Sequence, residues 1–434
     1  PNSAAPHFQR EKQHCCTFQG AFLNQGWELD GSAQLRFLVS KMITVVAVLF
    51  VLLDLFQELL QAYFHGKLSR SKIKPASRKG DTKTCGEDRK TIATHFEEHP
   101  EDKFRKDYPG YGYKGQLESV LQDFKHLPAN ETYLDHAGAT LCSLPQIHSH
   151  AEMMASSTFG NPHSRSPSSK RTTKMLAEAR AAVLEHFNAS ESEYAVIFTS
   201  GATQAIKIVA ENFKWTSGHS TLAYSRNNHN SIIGMRTIAQ QANAPFLSLP
   251  RSSLAALSSP PPLLNRNGDP EPQGGMAGSD EDDDSSLPCH LFAFPAECNF
   301  GGDKEDLEMI SRVKKFGLAG AARVEAGRWF VLLDAAKHAA TSPLDLSVYK
   351  PDFLCLSFYK MFGLPTGLGA LLVRREAAEA CLEKRFFSGG TVLSARADEP
   401  LHVLREDLSQ RFEDGTVSFL SIMAVKEGLA RLGR

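Results

Sequence analysis

Two apolar, strand-like segments of this 434-residue sequence end in side chains that could do chemistry together. The run from Asp352 ends at Lys360, and the run from Trp329 ends at Asp334. A lysine amine can form a Schiff base with pyridoxal phosphate (PLP), and an acid can keep the pyridine nitrogen of PLP protonated, so that its ring accepts electrons. Because parallel strands present their carboxyl ends at one edge of a sheet, we expect the two side chains to meet there. The alternative is that Asp334 caps a helix and Lys360 is an ordinary basic residue.

A phosphate site is suggested by the turn that follows the strand predicted at 194–199. Gly201, Ala202 and Thr203 lie in that turn and open a helical pattern. Such a turn presents free N–H groups to an anion, and the helix dipole adds to them. Ser357, three residues before Lys360, could supply another hydroxyl. An ordinary strand–helix turn has the same features, so the turn alone leaves both interpretations open.

A ring partner is suggested by His229, which follows the strand predicted at 221–225 and starts a helix. An imidazole at the end of a strand can stack on a flat ring and move protons. The alternative is a helix cap formed by Asn228 or Asn230 beside an incidental histidine. The phosphate turn, histidine, acid and lysine occur in that chain order, each at the end of a strand, and this order favours the PLP site.

The elements that would position these residues alternate between strands and helices. We expect helices at 169–187, 203–213 and 303–316 among others, and strands at 194–199, 221–225, 245–249, 290–295, 329–334, 352–357 and 369–373. This alternation predicts an α/β fold with a mostly parallel sheet and helices on both faces.

Composition and charge exclude several classes of protein. A formal net charge of -1 gives no electrostatic case for nucleic acid. The 8 cysteines show neither CxxC pairs nor Cys/His ligand spacing, which argues against a zinc site and a secreted disulfide framework. We therefore expect no metal site and a cytoplasmic protein.

The N-terminal part differs from the rest. Residues 1–41 are unassigned, and 42–64 form an apolar segment, a candidate membrane anchor whose uninterrupted run is shorter than the ~18 residues of a confident span. A signal-peptide core, a partner helix, or sequence outside the functional protein are the alternatives. Residues 65–105 are predicted to be a basic, disordered linker, and 106–434 the PLP domain, with a disordered acidic and proline-rich insertion at 252–288.

Eight short segments are together typical of one family. They are YLDHAGAT at 133–140, FGNPHS at 159–164, VIFTSGAT at 196–203, HNSIIGMR at 229–236, SPLDL at 342–346, SFYK at 357–360, GLPTGLGA at 363–370 and RFEDGT at 411–416. In these segments the chain resembles class V aminotransferases, and within them the N-terminal domain of the molybdenum cofactor sulfurases. The resemblance implies the large domain of a fold type I PLP-dependent transferase, with a seven-stranded sheet and a small C-terminal subdomain that is largely missing.

The resemblance also implies roles for individual residues. Lys360 would bind PLP covalently, Asp334 would pair with the pyridine nitrogen, and His229 would stack on the ring. Asn299 would lie near the ring hydroxyl. Further contacts to phosphate would come from Gly201, Ala202, Thr203 and Ser357, and from Gly390 and Thr391 across the interface of a homodimer. Lys337 stands where related enzymes often have a glutamine, which leaves its contact to the ring open.

The implied activity is that of a PLP-dependent sulfurtransferase of the cysteine desulfurase type. It takes sulfur from L-cysteine, leaves L-alanine, and passes the sulfur as a persulfide to the molybdenum cofactor of hydroxylases such as xanthine dehydrogenase and aldehyde oxidase. The persulfide cysteine and the domain that binds the molybdenum cofactor would lie beyond residue 434. A general cysteine desulfurase or other PLP lyase, and a non-catalytic interaction module with a truncated PLP fold, are the alternatives.

Overall fold

A seven-stranded sheet forms the centre of the molecule. The computed structural model describes residues 100–111, 115–258, 287–318, 322 and 324–432. The strands are β1 (Tyr194–Thr199), β2 (Leu222–Ser225), β3 (Phe246–Leu249), β4 (Cys289–Pro295), β5 (Arg328–Asp334), β6 (Phe353–Ser357) and β7 (Gly369–Arg374). All seven predicted strands are confirmed, each to within about one residue at either end.

The strand order is β1-β7-β6-β5-β4-β2-β3. The pairs β2–β3, β2–β4, β4–β5 and β5–β6 are parallel, whereas β7 is antiparallel to both of its neighbours. The predicted mostly parallel sheet is therefore confirmed. In the register, Asp334 pairs with Pro295 on one side and Cys355 on the other. The ends of β4, β5 and β6 thus reach the same edge of the sheet.

Helices connect and cover the strands. They are α1 (Pro100–Asp107), α2 (Leu117–Asp123), α3 (Leu144–Ser156), α4 (Pro167–His186), α5 (Ala202–Asn212), α6 (Asn230–Ile233), α7 (Met235–Gln241), α8 (Arg251–Ser258), α9 (Met309–Phe316), α10 (Phe358–Phe362), α11 (Arg375–Cys381), α12 (Leu408–Phe412) and α13 (Phe419–Leu432). A short hairpin, β8 (Val392–Ala395) with β9 (His402–Leu404), follows α11 and was not predicted.

Successive residues of the buried strands point to opposite faces of the sheet and belong to two separate apolar clusters. Ile197 belongs to one cluster with Val209 of α5, and Phe198 belongs to the other with Val183 of α4 and Val425 of α13. The sheet is therefore covered by helices on both faces, as predicted. Such near-continuous burial is typical of strands that have packing partners on each side.

One predicted helix is shorter than expected. The pattern predicts a helix at 303–316, but α9 begins only at Met309. The preceding segment pairs with the residues after β4 instead. The N–H of Cys298 donates to the carbonyl of Asp303 at 2.8 Å, and the N–H of Glu305 donates to the carbonyl of Ala296 at 3.1 Å. The first bond occupies the Asp303 carbonyl, which a helix beginning there would need; the second ties the Glu305 N–H to the segment after β4.

The predicted disordered segments are partly helical where the structure describes them. The end of the 65–105 linker enters α1, where the Phe104 ring lies 4.8 Å from that of Tyr108. The start of the 252–288 insertion belongs to α8, which buries Leu254. In α8, the burial of Leu254 and Leu257 outweighs the polar composition of the segment. The rest of these segments, together with 1–41 and 42–64, lies outside the described residues. None of the described helices is both long and apolar enough to cross a membrane.

Candidate active site

One cleft gathers most of the predicted site residues at the carboxyl edge of the sheet. Its empty volume, part of which is open solvent, is about 490 Å³. The predicted residues that line it are Ala202, Thr203, His229, Asn299, Asp334, Ser357 and Lys360. They come from positions far apart in the chain, and the parallel strands bring them together.

Lys360 lies on the short helix α10, directly after β6. Its Nζ donates to Oδ1 of Asn299 at 2.7 Å. Its backbone carbonyl accepts a hydrogen bond of 2.6 Å from the hydroxyl of Thr140, which fixes α10 to the loop before α3. Burial lowers the pKa of Lys360; Asp334 and Asp135 oppose this effect, and Lys337 adds to it. The amine is therefore closer to its neutral, nucleophilic form than a surface lysine.

Asp334 ends β5 at the floor of the cleft and is only 8% exposed. The N–H of Ala336 donates to its Oδ1 at 3.0 Å. Among the described residues, no basic side chain forms an ion pair with Asp334. Burial raises the pKa of this carboxyl, against the opposing effects of the Ala336 N–H, His229 and Lys360. A buried acid that has no ion-pair partner among the described residues is suited to hold a cationic ligand atom.

The turn that is predicted to bind phosphate opens α5. Gly201 adopts a φ of +139°, which glycine tolerates and other residues rarely adopt. The Ala202 N–H at the start of α5 donates to Oγ of Ser357 at 2.9 Å, so this serine is tied to the turn while its own proton remains available. The Thr203 hydroxyl lies 2.8 Å from that of Ser231. Hydroxyls and a helix N-terminus therefore meet in one corner of the cleft.

His229 is both a helix cap and a residue of the cleft. It caps α6, because its Nδ1 accepts a hydrogen bond of 3.2 Å from the N–H of Ser231. The Ser231 hydroxyl also lies 3.0 Å from Nδ1. With Nδ1 as acceptor, the neutral ring carries its proton on Nε2. The residue that caps α6 is thus His229 itself and not a neighbouring asparagine. Its exposed ring remains available to the cleft.

Sequence reasoning missed Glu297 and gave no role to Lys337. Both line the cleft, and the Lys337 ammonium lies 3.3 Å from Oε1 of Glu297. Ser231 was likewise missed as a cleft residue. Glu297 lies shortly after the end of β4, and Ser231 lies shortly after the end of β2. A polar residue just after a strand was the sequence feature that could have identified both.

Gly390 and Thr391 do not line this cleft within one chain. The Thr391 side chain is fully buried, and its hydroxyl donates to the carbonyl of Ser388 at 2.8 Å. The Gly390 carbonyl accepts a hydrogen bond of 2.7 Å from Nε of Arg405. These two residues form a braced turn, and their predicted contact with phosphate would need a second copy of the chain.

No described cysteine combines exposure with a place in the cleft. Cys289, Cys298, Cys355 and Cys381 are buried, and Cys142 is half-buried outside the lining. Burial raises the pKa of Cys355 and of Cys381, which keeps both as unreactive thiols.

The residues present fit PLP. Asp334 offers a buried carboxylate for a pyridine N–H, and the start of α5 offers N–H and hydroxyl donors for a phosphate. Lys360 offers a half-buried amine in the same cleft. Within the described residues there is no cluster of His, Cys, Asp and Glu side chains that could hold a metal ion.

Comparison with known proteins agrees with this fit. Residues 132–252 and 318–433, more than half of the chain, match the family described as aminotransferase class-V. The chain is 42% identical to a molybdenum cofactor sulfurase of Solanum lycopersicum over 349 residues, which are 76% of this chain and 41% of that protein. It is 41% identical to the human molybdenum cofactor sulfurase over 330 residues, 75% of this chain and 35% of that protein. The chain therefore spans about two fifths of the length of these curated relatives.

Solved structures share the fold at low identity. The apo structure of a cysteine desulfurase from Thermococcus onnurineus NA1 matches with a TM-score of 0.52 and 19% identity, over 70% of this chain and 67% of that one. The cystine C-S lyase C-DES, in complex with its reaction product cysteine persulfide, matches with a TM-score of 0.52 and 18% identity, over 70% and 73%. Class V aminotransferases depend on PLP. The chain belongs to the aminotransferase class-V family.

Proposed function

We propose that this chain binds PLP through Lys360 and takes sulfur from L-cysteine, as the PLP domain of a molybdenum cofactor sulfurase. The observation that carries the proposal is the shared cleft of Lys360 and Asp334. Each lacks an ion-pair partner among the described residues, so an amine and a buried acid both remain available to a cofactor. The identity to molybdenum cofactor sulfurases favours this reaction over that of another PLP enzyme.

The chain's own residues would share the binding of PLP. Asp334 would accept the pyridine N–H, and the exposed ring of His229 would stack on the cofactor. Gly201, Ala202, Thr203 and Ser357 would surround the phosphate at the start of α5. Asn299, which already holds the Lys360 amine, would lie near the ring hydroxyl.

Bound PLP supplies an electron sink that makes the Cα–H bond of L-cysteine acidic and weakens the bond to its sulfur. Nζ of Lys360, in its neutral form, would accept the proton from Cα and return it to the product. Asn299 holds this nitrogen in place by the 2.7 Å hydrogen bond. The buried Asp334 would present its carboxylate to the ring nitrogen of the cofactor, away from water.

The sulfur would then pass to a protein thiolate, leaving L-alanine. Because the described cysteines are buried or outside the cleft, we place this thiol outside the described residues. The final acceptor would be the molybdenum cofactor, held by a domain outside the described residues. We place the reaction in the cytoplasm, since the five described cysteines are all free thiols. An anchor at 42–64 remains a prediction.

The test begins with the purified chain and PLP. We expect absorbance near the edge of the visible range that is abolished in Lys360→Ala, together with L-alanine formation from L-cysteine when a thiol acceptor is added. Activation of a sulfur-depleted molybdenum hydroxylase by the chain, completed with its downstream domain, would distinguish a sulfurase from a general cysteine desulfurase. A chain that gives no lysine-dependent absorbance would instead be a non-catalytic module.

A further inference from the structure

Two lysines line the cleft, and they have different partners. Nζ of Lys360 donates to the neutral amide of Asn299 at 2.7 Å. Nζ of Lys337 lies 3.3 Å from a carboxylate oxygen of Glu297. An ammonium beside a carboxylate is stabilised in its charged form by a full opposite charge, whereas a neutral amide oxygen can accept a hydrogen bond from either an amine or an ammonium. The partners therefore favour one charged lysine and leave the other free to become neutral.

The pair formed by Lys337 and Glu297 is held firmly. The Glu297 side chain is only 6% exposed and that of Lys337 only 17%. The Thr341 hydroxyl donates to the second carboxylate oxygen of Glu297 at 2.6 Å. Glu297 also forms a backbone bridge with Lys304, which fixes the loop after β4. The Lys337 charge thus has a defined position at the wall of the cleft.

We propose that Lys337, held by Glu297, is a fixed second cation that keeps the amine of Lys360 neutral by like-charge repulsion. It is a positioning residue, because it acts through Lys360 and not on the substrate. This inference rests on the proposed function in one respect only, that Lys360 is the reactive amine.

Several charged and titratable side chains surround Lys360, and those that attract the ammonium oppose the repulsion by Lys337. Asp334 on β5 and Asp135 on the loop before α3 attract the ammonium, while Lys337 repels it. Glu297, His229 and Tyr359 complete the titratable lining. Burial is the largest cause that lowers the pKa of Lys360, and Lys337 is the cationic neighbour that lowers it further. Without Lys337, Asp334 and Asp135 would attract the ammonium of Lys360 without this opposing charge.

The test titrates Lys360 directly in the cofactor-free full chain. The rate at which acetic anhydride modifies Lys360 is measured against pH by mass spectrometry of the peptide that carries it. Only the neutral amine reacts with acetic anhydride. Lys337→Gln should therefore slow the modification at neutral pH by about threefold or more, and the midpoint of the pH profile should move to higher pH. Lys337→Arg should keep the rate of the unsubstituted chain.

Glu297→Gln should have the opposite effect to Lys337→Gln, because it removes the carboxylate that compensates the Lys337 charge. Modification of Lys360 should then become faster at neutral pH, and the midpoint of its pH profile should move to lower pH. Opposite shifts in the two variants cannot come from a general loosening of the cleft. Equal midpoints in all variants, or shifts of the same sign, would overturn the proposal. The absorbance of added PLP is recorded in parallel, so a chain that binds no PLP yet shows opposite shifts would refute the proposed function alone.

Discussion

Nζ of Lys360 is held by an amide oxygen, Oδ1 of Asn299, at 2.7 Å, and not by a carboxylate. The choice of partner matters because an adjacent carboxylate would favour the charged ammonium. Asn299→Asp keeps the size of the side chain and adds a negative charge at this position. We expect Lys360 to bind PLP more slowly at neutral pH, by roughly tenfold, and to recover at higher pH. The measurement is the rate at which the absorbance of bound PLP appears, as a function of pH.

Asn299→Ser is the matched control for that prediction. It removes the hydrogen bond without adding a charge, so the rate should fall modestly while its pH dependence stays unchanged. An Asn299→Asp chain with the pH profile of the unsubstituted protein would show that the amide does not influence the charge of Lys360.

Asp334→Asn should stabilise the cofactor-free chain and weaken PLP binding. Burial raises the pKa of Asp334, so ionisation of this residue is disfavoured in the folded chain. The resulting loss of stability is absent below the unfolded-state pKa and is complete once the pH exceeds the folded-state pKa. At neutral pH we expect Asp334→Asn to raise the free energy of unfolding by on the order of 1 kcal/mol.

The two parts of that prediction are measured separately. Urea unfolding of the cofactor-free chain is measured at pH 7 and at acidic pH. The free energy of unfolding should be higher for Asp334→Asn than for the unsubstituted chain at pH 7, and this difference should decrease as the pH falls. Titration with PLP at pH 7 should show affinity lower by more than about tenfold, because the neutral amide no longer stabilises a protonated pyridine. A variant less stable than the unsubstituted chain at neutral pH would contradict the assignment of Asp334 as a carboxylate destabilised by burial.

The strand ends were predictable, and the pair of Lys337 with Glu297 was not. Long apolar runs ending in Asp334 and near Lys360 identify buried strands, and parallel pairing then brings their ends together. Glu297 and Lys337 are brought together only by the adjacency of β4 and β5, which no local pattern reveals. The hairpin of β8 and β9 was missed because three of the four β8 residues are exposed, without an alternation of apolar and polar residues.

Arg180 and Glu413 form an ion pair that should stabilise the fold. The two terminal guanidinium nitrogens of Arg180 donate to the carboxylate, at 2.7 and 2.8 Å, and Glu413 also accepts a 2.8 Å hydrogen bond from the N–H of Phe198 on β1. The Glu413 side chain is only 8% exposed. Glu413→Gln leaves a largely buried guanidinium without its charge partner and should lower the free energy of unfolding by about 3 kcal/mol.

A double-mutant cycle checks the origin of that loss. Arg180→Met combined with Glu413→Gln removes both charges, so the double variant should be more stable than the sum of the two single losses predicts. Unfolding in urea gives all four values. Additive losses would show that the two side chains stabilise the chain independently.

Gly369 lets β7 pass close to the phosphate turn. A Cβ at this position would lie 2.6 Å from Cα of Gly201 and would clash with the carbonyl of Leu356. Gly369→Ala should therefore push the turn away from Ser357 and lower the affinity for PLP at least tenfold, with a loss of stability of about 2 kcal/mol. Gly110→Ala is the control, since nothing lies within 4 Å of its Cβ position. Fluorescence titration with PLP and urea unfolding measure the two effects, and unaltered affinity would contradict the close approach.

The hairpin of β8 and β9 should mediate a homodimer. Leu393 on β8 is 60% exposed and Val403 on β9 is 48% exposed; Phe387, whose ring lies 4.5 Å from that of His402 on β9, is 41% exposed. A cluster of exposed apolar side chains is typical of an interface. The hairpin follows the braced turn of Gly390 and Thr391, so a second copy could bring that turn to the phosphate of its partner.

Leu393→Asp with Val403→Asp tests this dimer, and Val348→Asp, at a residue that is 62% exposed on another surface, is the control. Light scattering should give a dimer for the unsubstituted chain and the control, and a dimer weakened at least tenfold for the double variant, because two carboxylates would lose water on association. PLP retention should fall in parallel, since the partner's turn is lost. A monomeric chain that retains PLP would show that Gly390 and Thr391 play no part in binding the phosphate.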